Sequence, residues 1–222
     1  SELISDVASA GLIRVASLKR IEELGDINIE EKAQKLDVRY ITTGSLWKVD
    51  SVFQLSMELY DTKTSKILWS ESWQKAWNEL AYIKGNFAEN ILKTLKVSTK
   101  QDFNKVPTSN TEAYELYLKG KYKFLFREDS KDLHISRELL NKSIEIDDNL
   151  ISATLLLGES YIPFGEIKKS LYYCNKGLEK AKDTNNNKQI IESLICIGWS
   201  NSRQGNYVKT KECFSKALSL AK

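Results

Sequence analysis

The chain is poor in the residues that most often carry catalysis or covalent cross-links. Its 222 residues include one histidine, two prolines, three cysteines and one methionine. The single histidine, His134, has no His or Cys partner at ligand spacing, so a zinc site is not expected and no Ser-His-Asp set can be assembled. No glycine-rich phosphate loop is present. Cys174, Cys196 and Cys213 are odd in number and widely spaced, which argues against a disulfide framework. All three fall in helical patterns at positions expected to face other helices, and they read as reduced thiols in a cytoplasmic core. Long hydrophobic runs are lacking too. Nothing approaches the about 18 apolar residues of a spanning helix, so no membrane insertion is expected. The opening residues have neither the basic region nor the apolar run of a signal peptide. They also lack an initiating Met, and the chain reads as a fragment. An excess of one charge is missing as well: Lys plus Arg number 33 against 30 Asp plus Glu. With no basic stripe, nucleic-acid binding is not the favoured reading. No cofactor and no catalytic activity are expected.

What is present is an ordinary globular composition, 41% hydrophobic and 28% charged, divided into two halves near Pro107. In the first half, residues 2–10 have the spacing of a helix, and residues 12–17 read as a strand. Asn28 is a candidate N-cap with Glu31 three residues on, opening a helix over 29–36. Three strand-like runs follow, at 38–47, 52–60 and 66–73. The second alternates cleanly, with Phe53, Leu55, Met57 and Leu59 against Gln54, Ser56 and Glu58. The short joints between them predict antiparallel hairpins. A helix over 78–95 carries Ile83, Phe87 and Ile91 on one stripe. Together these predict a three-stranded meander covered by helices on one face. Trp47, Trp69, Trp73 and Trp77 cluster around the strands. They read as cross-strand and core packing, or alternatively as an exposed aromatic patch.

Residues 97–110 read as a linker, and beyond it the strands vanish. Helical spacing predicts elements at 111–126, 132–146, 151–163, 166–182, 188–204 and 207–222, which pair into three antiparallel hairpins. The hairpins repeat. Leu157-Gly158-x-x-Tyr161 is followed by Ser170, Cys174 and Gly177. Ile197-Gly198 is followed by Thr210, Phe214 and Ala217, and Gly120 by Ser136, Leu140 and Ser143. The glycines and small residues are expected to let paired helices approach, with Leu140 and Phe214 filling the gaps between hairpins. This pattern resembles the tetratricopeptide (TPR) repeat. The third hairpin has Asn201 where the second has Tyr161, and Asn185-Asn186-Asn187 lengthens the exit from the second. No polar capping helix follows, so the last face is expected to meet further repeats, another domain or a second copy.

Ala33-x-x-Leu36-Asp37-Val38-Arg39-Tyr40-Ile41-Thr42-Thr43-Gly44-Ser45 is similar to a segment of the TolB amino-terminal-like domain. Residues 54–61 and Ile67-Leu68-Trp69-Ser70-Glu71 are similar to its hairpin, with Ser65 in place of the turn glycine. The Glu112–Gly120 stretch resembles the junction of that family with TPR repeats. The resemblance implies an α+β chain: a small antiparallel-sheet α/β domain at 1–100, truncated at its N terminus, a linker at 101–110, and an all-α TPR solenoid at 111–222. It also implies a non-catalytic regulatory segment of a bacterial signalling protein, of the kind that follows class III adenylate or guanylate cyclase, kinase or winged-helix domains. Such arrays bind a protein or peptide along the concave surface of the first helices. Phased from the glycines, the inward positions are Lys121, Leu155, Glu159, Ile162, Trp199, Ser202 and Arg203. They contain no Asn/Lys ladder for a C-terminal carboxylate. Trp199 is the expected anchor, since Trp and Arg dominate interface energetics; the alternative is packing on a neighbouring helix. Two further readings stay open, self-association through the uncapped end and nucleic-acid binding by the first half. His134 and the Glu22-Glu23 pair are read as surface groups, and Asp147-Asp148 as helix punctuation.

Overall fold

A computed structural model describes residues 14–50, 52–76, 79–97 and 108–221. The chain is α+β and divides into two compact units, Ser1–Val106 and Pro107–Lys222.

The first unit is built on an antiparallel meander, β1 (Tyr40–Val49), β2 (Val52–Asp61) and β3 (Lys66–Ala76), in the order β1-β2-β3. β1 is displaced two residues along the chain from its predicted run, β3 extends three residues past its predicted end, and β2 meets the prediction to within one residue. Ser65 takes φ +53° in the β2–β3 turn, so the serine adopts the left-handed backbone for which glycine is usual. The alternation of β2 is realised. Phe53 and Leu59 are buried, Trp69 lies across from Leu59, and α3 (Leu80–Thr94) brings Phe87 within 5.4 Å of the Trp69 ring. On the opposite face Ser45, Ser56 and Ser72 stand side by side across the three strands, and the Ser56 and Ser72 hydroxyls are 2.6 Å apart.

Two short helices precede the sheet, α1 (Leu18–Glu23) and α2 (Ile29–Leu36). Asn28 caps α2 by accepting the backbone N–H of Glu31 at 2.8 Å, as its sequence position implies. The strand expected over 12–17 is not found in its described part. Residues 14–17 have no regular structure, and Ser17 instead caps α1, a helix the apolar pattern did not indicate. The expected helix over 2–10 lies outside the described residues, as do Trp77 and most of the expected linker. Just after α2, Arg39 clamps Asp61 with Nε donating to Oδ1 at 3.0 Å and Nη2 to Oδ2 at 2.7 Å. That bidentate bond holds the Asp61 carboxyl well below the usual carboxylate range, against the opposing effect of burial.

The second unit contains α4 (Thr111–Leu125), α5 (Ser130–Ile146), α6 (Ile151–Ser160), α7 (Ile167–Asp183), α8 (Asn187–Arg203) and α9 (Tyr207–Leu220). A single-turn 3-10 helix, Ile162–Phe164, follows α6, where Pro163 interrupts the predicted longer helix. Consecutive helices pack antiparallel. Ser136 Oγ donates to the Gly120 carbonyl and Ser143 Oγ to the Ala113 carbonyl, so α5 descends as α4 climbs. The three glycines hold one equivalent place in each hairpin. A Cβ at Gly120 would stand 2.9 Å from Leu140, at Gly158 2.7 Å from the Cys174 sulfur, and at Gly198 it would enter the Phe214 ring. Leu140 and Phe214 therefore cover the glycine of their own hairpin, which corrects the expectation that they fill gaps between hairpins. Leu140 is wholly buried, and such burial contributes roughly 2 kcal/mol.

Candidate functional site

The first helices of the three hairpins, α4, α6 and α8, form a consecutive row, with α6 against both others. Burial along them shows which line remains open. On α6 only Ser152 and Glu159 escape full burial, and they stand seven residues apart on one helical face. On α8 the open line runs through Glu192, Ile195, Trp199 and Ser202, at helical spacing. Ile195 is 37% and Trp199 55% exposed, an apolar stripe flanked by polar side chains.

Glu159 is the electrostatic centre of this row. Half-buried, its carboxyl is pushed up to about 7, first by loss of water and then by the negative charge of Glu192, with Lys121 pulling the other way. Those two charges come from α8 and α4, so the three first helices act on one point. Lys121 is also held by its own helix: its Nζ donates to the Tyr117 hydroxyl at 3.2 Å and lies 5.5 Å from that ring's centre.

Of the residues predicted to line the groove, Lys121 and Glu159 are brought together and Trp199 and Ser202 share the open line of α8. Arg203 is exposed in the last turn of α8, and Ile162 is half-buried in the 3-10 turn. Leu155 is a correction. It is buried with Ile151 and Ala181 and fills the space above Gly177, so it packs the second hairpin and is closed to a partner. Trp199 packs its ring edge-on to Phe214 of the neighbouring helix at 5.6 Å, and about half its surface stays open.

Nothing along the chain marks Glu192 as a neighbour of Glu159, since the two are far apart in sequence. Nor does the sequence reveal Arg137, on α5, which makes a polar connection between the first and second hairpins. Arg137 donates to the Ser160 hydroxyl and carbonyl, pairs with Glu166 at 2.9 Å and lies 4.1 Å from the centre of the Tyr161 ring. His134 is exposed and stacks on Phe164. Among the tryptophans of the first unit, Trp69 and Trp73 pack together while Trp47 is 71% exposed near the β1–β2 turn.

The cysteines depart from expectation. The structure joins Cys174 on α7 to Cys196 on α8, with Cα atoms 6.0 Å apart, and leaves Cys213 free and half-buried. The antiparallel packing of α7 on α8 faces the two cysteines, a proximity that their separation of 22 residues does not reveal.

Among the described residues no group of His, Cys, Asp and Glu is arranged to hold a metal ion, and no helix is long and apolar enough to cross a membrane. No protein-family model matches the chain, and no curated protein matches it.

Proposed function

We propose that this chain is a non-catalytic regulatory segment of a larger bacterial signalling protein, and that it binds a protein or peptide partner. In this reading residues 111–222 are a TPR-type array, residues 1–100 are a TolB amino-terminal-like domain, and the segment works in the cytoplasm. The observation that carries it is the open stripe on α8: Ile195 and Trp199 stay exposed on a helix whose Leu194, Cys196 and Ile197 are buried. An extended or helical peptide laid along α4, α6 and α8 would meet Lys121, Glu159 and Glu192 as polar contacts and Trp199 as its apolar anchor. Affinity capture from the source cells, followed by titration of the captured partner against the wild type and Trp199→Ala, tests this. A variant that folds and binds as well as the wild type removes the stripe from the account.

A second reading, self-association, has its own support. Shifted by one hairpin, Leu178 of α7 corresponds to Leu218 of α9. Leu178 packs against the Cys174–Cys196 cluster beside α8, whereas Leu218 is 61% exposed, as are Val208 and Tyr207 to a greater degree. Light scattering across concentration separates the two readings, because an array that binds only foreign partners stays monomeric.

A further inference from the structure

Three sulfurs, from three successive helices, converge on one cluster. Cys174 of α7 and Cys196 of α8 are fully buried, and Leu171, Leu178 and Cys213 of α9 pack around them. We propose that the Cys174–Cys196 bond is a redox-cleavable staple between the second and third hairpins, and that Cys213 is the thiol through which it exchanges with small disulfides and thiols in solution.

The helix pairing alone places the two sulfurs together. One turn away on the same interface, the Ser170 and Ser200 hydroxyls meet at 2.7 Å, which sets α7 and α8 in register. The Cα separation of 6.0 Å is within the span a disulfide requires. The surrounding Leu171, Leu178 and Ile197 side chains suit the reduced state as well, because a buried thiol behaves as a small apolar group. The packing therefore accommodates both oxidation states. Neither Cys174 nor Cys196 is open to a reagent, whereas Cys213 is half-buried and keeps some solvent contact. Cys213 rides on α9, which packs chiefly on α8.

With a low-molecular-weight disulfide RSSR as oxidant, the Cys213 thiolate attacks one sulfur and releases RS⁻. The Cys196 thiolate then attacks the Cys213 sulfur, breaking the mixed disulfide and releasing the second RS⁻. Finally the Cys174 thiolate attacks the Cys196 sulfur, forming the staple and freeing the Cys213 thiolate. The balance is two protein thiols and RSSR giving one protein disulfide and two RSH, and an excess of RSH drives it backwards. Burial pushes the Cys213 thiol up, so exchange should be slow at neutral pH and faster in mild base. Because α8 also carries Ile195 and Trp199, the staple fixes that stripe against α7.

The test is thiol counting on the whole chain, equilibrated in buffers of graded reduced and oxidised glutathione, with the sites identified by differential alkylation and peptide mapping. With the chain acid-quenched and unfolded before alkylation, the expected result is three free thiols in reducing buffer and Cys213 alone in oxidising buffer. The melting midpoint of the helical unit should rise by about 10 °C on oxidation. Cys213→Ser should keep the same end states but reach them about tenfold more slowly or worse. Three thiols at every ratio, or one thiol that no native reductant changes, overturns the staple. An unchanged rate in Cys213→Ser overturns the relay. Should that variant fail to fold, trapping wild-type intermediates by acid quench decides the relay: Cys213 in a mixed disulfide supports it, and its absence contradicts it.

Discussion

The two units are stabilised in different ways. In the sheet unit, side chains from distant positions meet once each: Phe53 and Leu59 under the meander, Trp69 on Phe87, Arg39 on Asp61. The helical unit uses one contact three times, a glycine on the first helix of a hairpin beneath a larger side chain on the second. Repetition makes the helical unit sensitive to volume at three equivalent positions, whereas the sheet unit has such a glycine once, Gly44 against Met57 and Ser56, and otherwise depends on individual pairs.

The largest expected effect follows from that contrast. Gly158→Val places branched carbon against the Cys174 sulfur and the Ser170 carbonyl, and should cost the helical unit about 3 kcal/mol in chemical denaturation followed by circular dichroism. Gly25→Ala, in the sheet unit, meets nothing within 4 Å. It should cost only about 1 kcal/mol, from its positive φ. Equal losses would dissolve the distinction. Next in size, Arg137→Met removes the bonds to Ser160 and Glu166 while keeping some apolar bulk, and should destabilise the helical unit by about 2 kcal/mol.

The units should also respond to pH with opposite signs. The Asp61 carboxyl is depressed, so its contribution is present above the ordinary carboxylate range of about 4 and is lost as pH falls further. The Glu159 carboxyl is raised, so its contribution is present below that range and is lost as pH rises through about 7. Glu159→Gln should therefore flatten the helical unit's stability between about pH 4 and pH 7, the span from the ordinary carboxylate value to the raised one. Tryptophan fluorescence reports mainly the sheet unit, which holds Trp47, Trp69, Trp73 and Trp77, and far-ultraviolet circular dichroism reports the helices. If both signals fall together at the same end of the pH range, the assignment of these two carboxyls is wrong.

Much of this architecture is legible along the chain, because the informative signals are local. Period-two alternation located β2 to within one residue, and Asn28 marked the start of α2. Gly120, Gly158 and Gly198 at one phase gave the hairpin register. The failures share a cause, which is dependence on partners distant in sequence. Residues 12–17 have the composition of a strand, yet their described part is not one. Leu155 lies one turn before Glu159, a spacing that predicts a shared face, but the space left by Gly177 draws it into the hairpin. Arg137, Glu192 and the Cys174–Cys196 pair acquire their meaning only when helices separated by a loop are laid together.

The smallest expected stability effect belongs to the residue with the largest functional one. Trp199→Ala should cost under about 1 kcal/mol, because half the ring is already in water. The most direct test of the central claim sets the two exposed tryptophans against each other, measuring affinity for one captured partner in the wild type, Trp199→Ala and Trp47→Ala. Partner binding along the first helices predicts a loss of about tenfold or more in Trp199→Ala and none in Trp47→Ala. A loss confined to Trp47→Ala would move the interaction to the sheet unit and contradict the account.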